Sequence, residues 1–145
     1  MLAFWRAAGT DKWFEKSEAF DLEVRRRFLS LWDAVRAGEL AYWEETPEGA
    51  LARVIVLDQF PRNMFRDDRR TYATDELARG VAERAIGRGF DRRVSHPERQ
   101  FFYLTLAIGR GQLTLWAIGI ISDIHNPFSC RMCRTKYRVF SAVPA

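Results

Sequence analysis

Lysine and cysteine are scarce in this chain: of 145 residues three are lysine and two are cysteine. Both cysteines, Cys130 and Cys133, lie near the carboxyl end, so a disulfide framework is excluded. With His125 they offer at most half of a zinc site, because a second C-x-x-C or C-x-x-H is missing, and no metal is expected. No apolar stretch of 18 residues is free of charge, which excludes a membrane-spanning helix; residues 113–121 are largely apolar but too short to span a bilayer. Arg6 stands where a signal peptide needs its apolar centre, so a cytoplasmic protein is expected. A G-x-G-x-x-G turn, a P-loop and a Ser or Cys nucleophile with a matched base are all missing as patterns, so no cofactor is implied and hydrolase or nucleotide chemistry has no support. His96 sits beside Pro97 at an expected helix start, where a capping or surface role fits better than catalysis.

What is present fits one globular domain. Hydrophobic residues make up 48% and charged residues 29% of the chain, enough to build a core at this length. The net charge is +4, but it is unevenly placed. Residues 1–106 hold 18 basic and 18 acidic side chains, whereas residues 107–145 hold five basic residues and one acid, Asp123. A balanced body offers no basic stripe for a phosphate backbone, which argues against nucleic acid as a partner. Membrane attachment is equally unsupported.

The hydrophobic spacing is helical. Over residues 17–37, Phe20, Val24, Phe28, Leu31 and Val35 recur at helical steps on one face, and Gly38 closes the element. Asp21, Glu23, Arg25, Arg26 and Asp33 read as its solvated face. Thr46 and Pro47 form an N-cap and first-turn pair. They open a central helix, apolar nearly all round through Leu57, that Pro61 is expected to stop. Residues 68–88 carry a stripe of Tyr72, Leu77, Val81 and Ala85, and Gly89 suits a left-handed cap. Ser95 and Glu98 fit a capping box before an apolar run from Phe101 to Leu106. Four major helices with short links predict an all-α fold of antiparallel helical hairpins. The aromatic set Trp5, Trp13, Phe14, Phe20, Phe28, Trp32 and Trp43 reads as core packing before it reads as a peptide groove.

Several motifs together resemble one bacterial family: the pairs Phe4-Trp5, Trp13-Phe14 and Phe20-Asp21, Gly38 with Leu40 and Trp43, and above all Leu57-Asp58-Gln59-Phe60-Pro61-Arg62-Asn63 with Phe65-Arg66. Ala73, Asp75, Ala78, Gly89, Asp91, Glu98-Arg99 and Phe102-Tyr103-Leu104 continue the match. The family is domain of unknown function 924, and the resemblance over residues 2–104 implies a tetratricopeptide-like helical array without an established activity. From about residue 105 the pattern departs and acids nearly vanish. Residues 1–106 are therefore expected to form the helical domain and 107–145 an atypical tail, frameshifted or disordered.

Asp58, Gln59, Arg62, Asn63 and Arg66 gather five polar side chains around the expected helix end. A carboxylate buried there needs a partner, and Arg62 and Arg66 are the nearest in sequence. One reading has Asp58 lock the corner onto an arginine while Asn63 ties up terminal carbonyls. In the other, the two arginines cradle a small anion with Asp58 orienting one guanidinium. The expected function is a protein-interaction or small anionic ligand-binding module. The alternative is an enzyme acting on an anionic metabolite, with Asp58 as general base and the arginines as clamps.

Overall fold

Ser17 and Thr46 start two of the helices in the same way, each hydroxyl accepting a backbone N–H three residues on, from Phe20 and Gly49 respectively. In the computed structural model, which describes residues 1–107, helices account for all the regular structure and no strand occurs among the described residues. Readings made on residues 108–145, namely the half zinc site of His125, Cys130 and Cys133, the apolar run 113–121 and nearly all of the atypical tail, lie outside them. No helix among the described residues is long and apolar enough to cross a membrane.

A first helix, α1 (Leu2–Phe14), has no periodic stripe and is not among the four expected elements. Gly9 breaks its regularity at φ 77° and ψ 167°, a region that only glycine enters freely. The bend returns Trp13 onto Trp5, ring centroids 5.9 Å apart and planes within 4°, with Trp13 Nε1 donating to the Trp5 carbonyl at 2.7 Å. The second helix, α2 (Glu18–Arg36), buries Phe20, Val24, Trp32 and Val35. Phe28 and Leu31 of the expected stripe are half-buried. Gly38 then leaves it at φ 94°.

The central rod departs from expectation. It begins as α3 (Pro47–Val54), packed so tightly on the 3-10 turn Ala41–Glu45 that a Cβ on Gly49 would lie 2.0 Å from the Trp43 carbonyl oxygen. Pro61 does not stop it. One π-helical turn, Ile55–Gln59, absorbs the proline, and the chain continues as α4 (Phe60–Met64). Every residue from 50 to 65 is buried, so Asp58 lies inside a continuous rod and not at a helix terminus.

The stripe assigned to residues 68–88 also needs correction. Arg69–Tyr72 form a separate 3-10 turn, and α5 (Asp75–Gly87) starts only after Thr74. Tyr72 and Leu77 point outward, 63% and 48% exposed, while Ala78, Val81, Ala82 and Ala85 make the inner face. Gly89 takes the expected left-handed conformation at φ 70°. The last described helix, α6 (His96–Ala107), passes the point where the sequence resemblance becomes illegible, with Thr105 still buried. Its Ser95 and Glu98 meet side chain to side chain, Oγ to Oε2 at 2.5 Å.

Trp5 is the hub of the core. Its ring touches Phe20 of α2, Phe60 of α4 and Phe101 of α6, with centroids 5.6 to 6.1 Å apart. Trp5, Trp13, Phe20 and Trp32 are buried, so the aromatic set builds the interior. Burying side chains of this size contributes roughly 1.5–3 kcal/mol each.

Candidate functional site

Pro61 explains why polar groups collect here. It has no N–H to give the carbonyl four residues back, Leu57. Thr74 supplies the missing donor, its Oγ1 lying 2.5 Å from the Leu57 oxygen, and Trp32 Nε1 in turn donates to Thr74 Oγ1 at 3.2 Å. The Phe60 N–H reaches back five residues to the Ile55 carbonyl, the signature of the π turn. Such turns recur at functional sites.

Two carboxylate clusters flank the turn. Arg62, only 4% exposed, is held from both sides. Its Nη1 lies 3.2 Å from Asp58 Oδ1, and it grips Asp75 in a fork, Nη1 to Oδ1 at 3.0 Å and Nη2 to Oδ2 at 3.1 Å. The same Nη1 also donates to the Asp58 carbonyl at 2.6 Å. Gln59 Nε2 donates to Asp58 Oδ2. In the second cluster Asn63 Nδ2 donates to Asp21 Oδ1 at 2.6 Å. Arg66 reaches the same carboxylate from Nε to Oδ2 and from Nη2 to Oδ1, the latter at 3.0 Å. Fork geometry of this kind fixes a guanidinium in direction as well as place.

The five expected residues therefore share one region, but in a different partnership. Asp58 takes Arg62 and Gln59, whereas Arg66 and Asn63 turn to α2. Asn63 bonds the Asp21 carboxylate. Arg62 and Arg66 hold separate acids, Asp58 with Asp75 and Asp21 respectively. Asp21, assigned by spacing to the solvated face of its helix, is the anchor of the second cluster with its side chain 12% exposed. Sequence reasoning also passed over the roles of Asp75 and Thr74. Asp21 and Asp75 both carried a signal, since each belongs to the motifs shared with the resembled family; Thr74 carried none.

Accessibility is graded across the region. Asp58 has no exposed surface and the Arg62 side chain has 4%, while Asp75 has 15% and Arg66 24%. Arg66 Nη1 has no hydrogen-bond partner among the described residues. The rim beyond Arg66 is also ordered. Arg70 forks onto Asp68 and lies 4.5 Å above the Phe65 ring. Hydrogen bonds from the Arg70 side chain, then from its backbone N–H, pull the Asp68 carboxyl down to about 2.

An all-helical body with a buried acid and arginine lattice beside a proline-bearing π turn is the class that fold and site define. The chain belongs to the bacterial family of proteins of unknown function DUF924, whose sequence profile matches residues 1–108. Among solved structures it is similar to a protein of unknown function, ATU0120 from Agrobacterium tumefaciens, at 44% identity and a TM-score of 0.75. That similarity covers 81% of this chain and 66% of the other, so the chain spans just under two thirds of that relative's length. No curated protein matches.

Proposed function

We propose that the chain is a non-catalytic binding module, a tetratricopeptide-like helical array that holds a small carboxylate ligand at the outer edge of the region formed by Asp58, Gln59, Arg62, Asn63 and Arg66. The observation that carries this reading is Arg66: both oxygens of Asp21 fix its guanidinium, it is the most exposed of the charged side chains in the lattice, and its Nη1 makes no hydrogen bond among the described residues. A guanidinium fixed in advance loses little freedom on binding. The Asp58–Arg62–Asp75 cluster serves as its rigid back. Three acids against two arginines give the lattice a formal charge of −1, so the ligand binds weakly, one carboxylate at a time, on the Arg66 side.

The enzyme alternative has no supporting observation. Asp58 has no exposed surface and is paired with Arg62, whereas a general base must reach the proton it removes. Titration with acetate and succinate tests the module. A saturable rise in thermal stability is expected, worth about 2.7 kcal/mol at a hundredfold excess over Kd, with a matching shift of the Arg66 Nε resonance. Both should vanish in Arg66→Ala and weaken in Arg66→Lys. Wild-type protein that responds to neither carboxylate refutes the proposal.

A further inference from the structure

A second set of arginines lies away from that region, on the side where the 3-10 turn Ala41–Glu45 meets α3 and α5. Glu44 is its centre. Arg84 forks onto the Glu44 carboxylate, Nε to Oε2 at 2.8 Å and Nη2 to Oε1 at 2.9 Å. Arg53 approaches Oε1 from beneath at 3.4 Å and donates to the Leu40 carbonyl at 3.3 Å. One helical turn beyond Arg84, Arg88 donates from Nη1 to the Glu44 backbone oxygen at 2.8 Å, with its guanidinium 6.0 Å from the Phe90 ring centre. One residue thus positions three guanidinium groups, through both its side chain and its backbone.

The donors exceed what Glu44 can accept. Arg84 Nη1 and Arg88 Nε and Nη2 make no hydrogen bond among the described residues, and both side chains are exposed. The Arg53 side chain is only 8% exposed, and its Nε is buried without a hydrogen-bond partner among the described residues. A buried N–H of this kind costs free energy unless something accepts it. Glu44 and Glu83 are the acids that act on Arg84. The Arg84 hydrogen bonds outweigh burial and hold the Glu44 carboxyl below its ordinary range, so it stays ionised and keeps the arginines in place.

We propose that Arg84 and Arg88, held in position by Glu44 over the buried Arg53, form a binding site for the phosphate group of a small phosphorylated molecule. Phosphate has the charge and the number of acceptors to bridge two guanidiniums with spare N–H groups, offering more oxygens and more charge than a single carboxylate. The site uses none of the residues assigned to carboxylate binding, so either proposal can fail without the other.

Inorganic phosphate is the first probe and glycerol phosphate the second, titrated into the full chain by calorimetry at constant ionic strength. Saturable binding of one equivalent is expected, at least tenfold tighter than for acetate. Arg84→Gln and Arg88→Gln should each weaken it by about tenfold or more, while Arg26→Gln, on the exposed surface of α2, leaves it unchanged. Arg88→Lys, which keeps the charge and disturbs packing least, should recover part of the affinity and guards against a folding artefact. No saturable binding of either probe, acetate binding as tightly as phosphate, or binding unaffected by both glutamine variants would each overturn the proposal.

Discussion

Gly9 holds the first helix in a backbone conformation that an alanine resists. A Cβ placed there meets nothing within 4 Å, so the whole cost of a methyl group is conformational. Gly9→Ala should lower stability by about 1–3 kcal/mol. Gly87 also has open space around it but no positive φ, and Gly87→Ala should raise stability by about 0.4–1 kcal/mol through the unfolded chain. Chemical denaturation of the two variants should give opposite signs, and a neutral Gly9→Ala would show that the Trp5 and Trp13 stack does not depend on the bend. Gly38 and Gly89 were legible as helix ends because an apolar stripe stops just before each. Gly9 was not, because nothing in a run of mixed residues marks a positive φ.

At the scale of the element, the rod from Pro47 to Met64 survives its own proline because other elements replace what the proline removes. Thr74→Val should cost about 1–3 kcal/mol by leaving the Leu57 carbonyl without its donor. Arg62→Met should cost more, about 3–5 kcal/mol, because two buried or nearly buried acids, Asp58 and Asp75, lose their cation. Urea unfolding of the two variants checks both figures and their order. The motif from Leu57 to Asn63 marked the segment where buried polar side chains gather, and the apolar stretch before it announced the most buried helix. The rule that proline ends a helix failed, since it is local and the rescuing hydroxyl sits 17 residues from the Leu57 carbonyl it serves. Tyr72 and Leu77 misled for a similar reason: a helical period assigns residues to one face without saying whether that segment is one helix or a turn followed by another.

Across the whole molecule, charge pairs join distant parts of the chain. Arg6 on α1 meets Glu98 on α6, Nε to Oε1 at 2.6 Å. Burial pushes the Glu98 carboxyl up, but the hydrogen bonds from Arg6 and Ser95 outweigh it and hold the group below its ordinary 4.5. Glu44 is held down likewise. In the window below about 4.5 the unfolded chain therefore binds more protons than the folded one at these two sites, so their contribution to stability is complete above that pH and is lost as pH falls. Unfolding free energy measured from pH 6 to pH 3 should fall, and Glu98→Gln should flatten the slope. The all-α class was readable because spacing repeats locally. The pairings of Asp21 with Arg66 and of Arg6 with Glu98, 45 and 92 residues apart, were not, since a balanced charge count does not say which acid meets which base.

The order of synthesis gives the Trp5 hub one more consequence. Its partner Phe101 leaves the ribosome more than ninety residues later, so the nascent chain carries an unsealed indole for most of its elongation. Early helices can form as they emerge, but their oily interior closes only when α6 arrives, which leaves apolar surface open on the growing polypeptide until that moment.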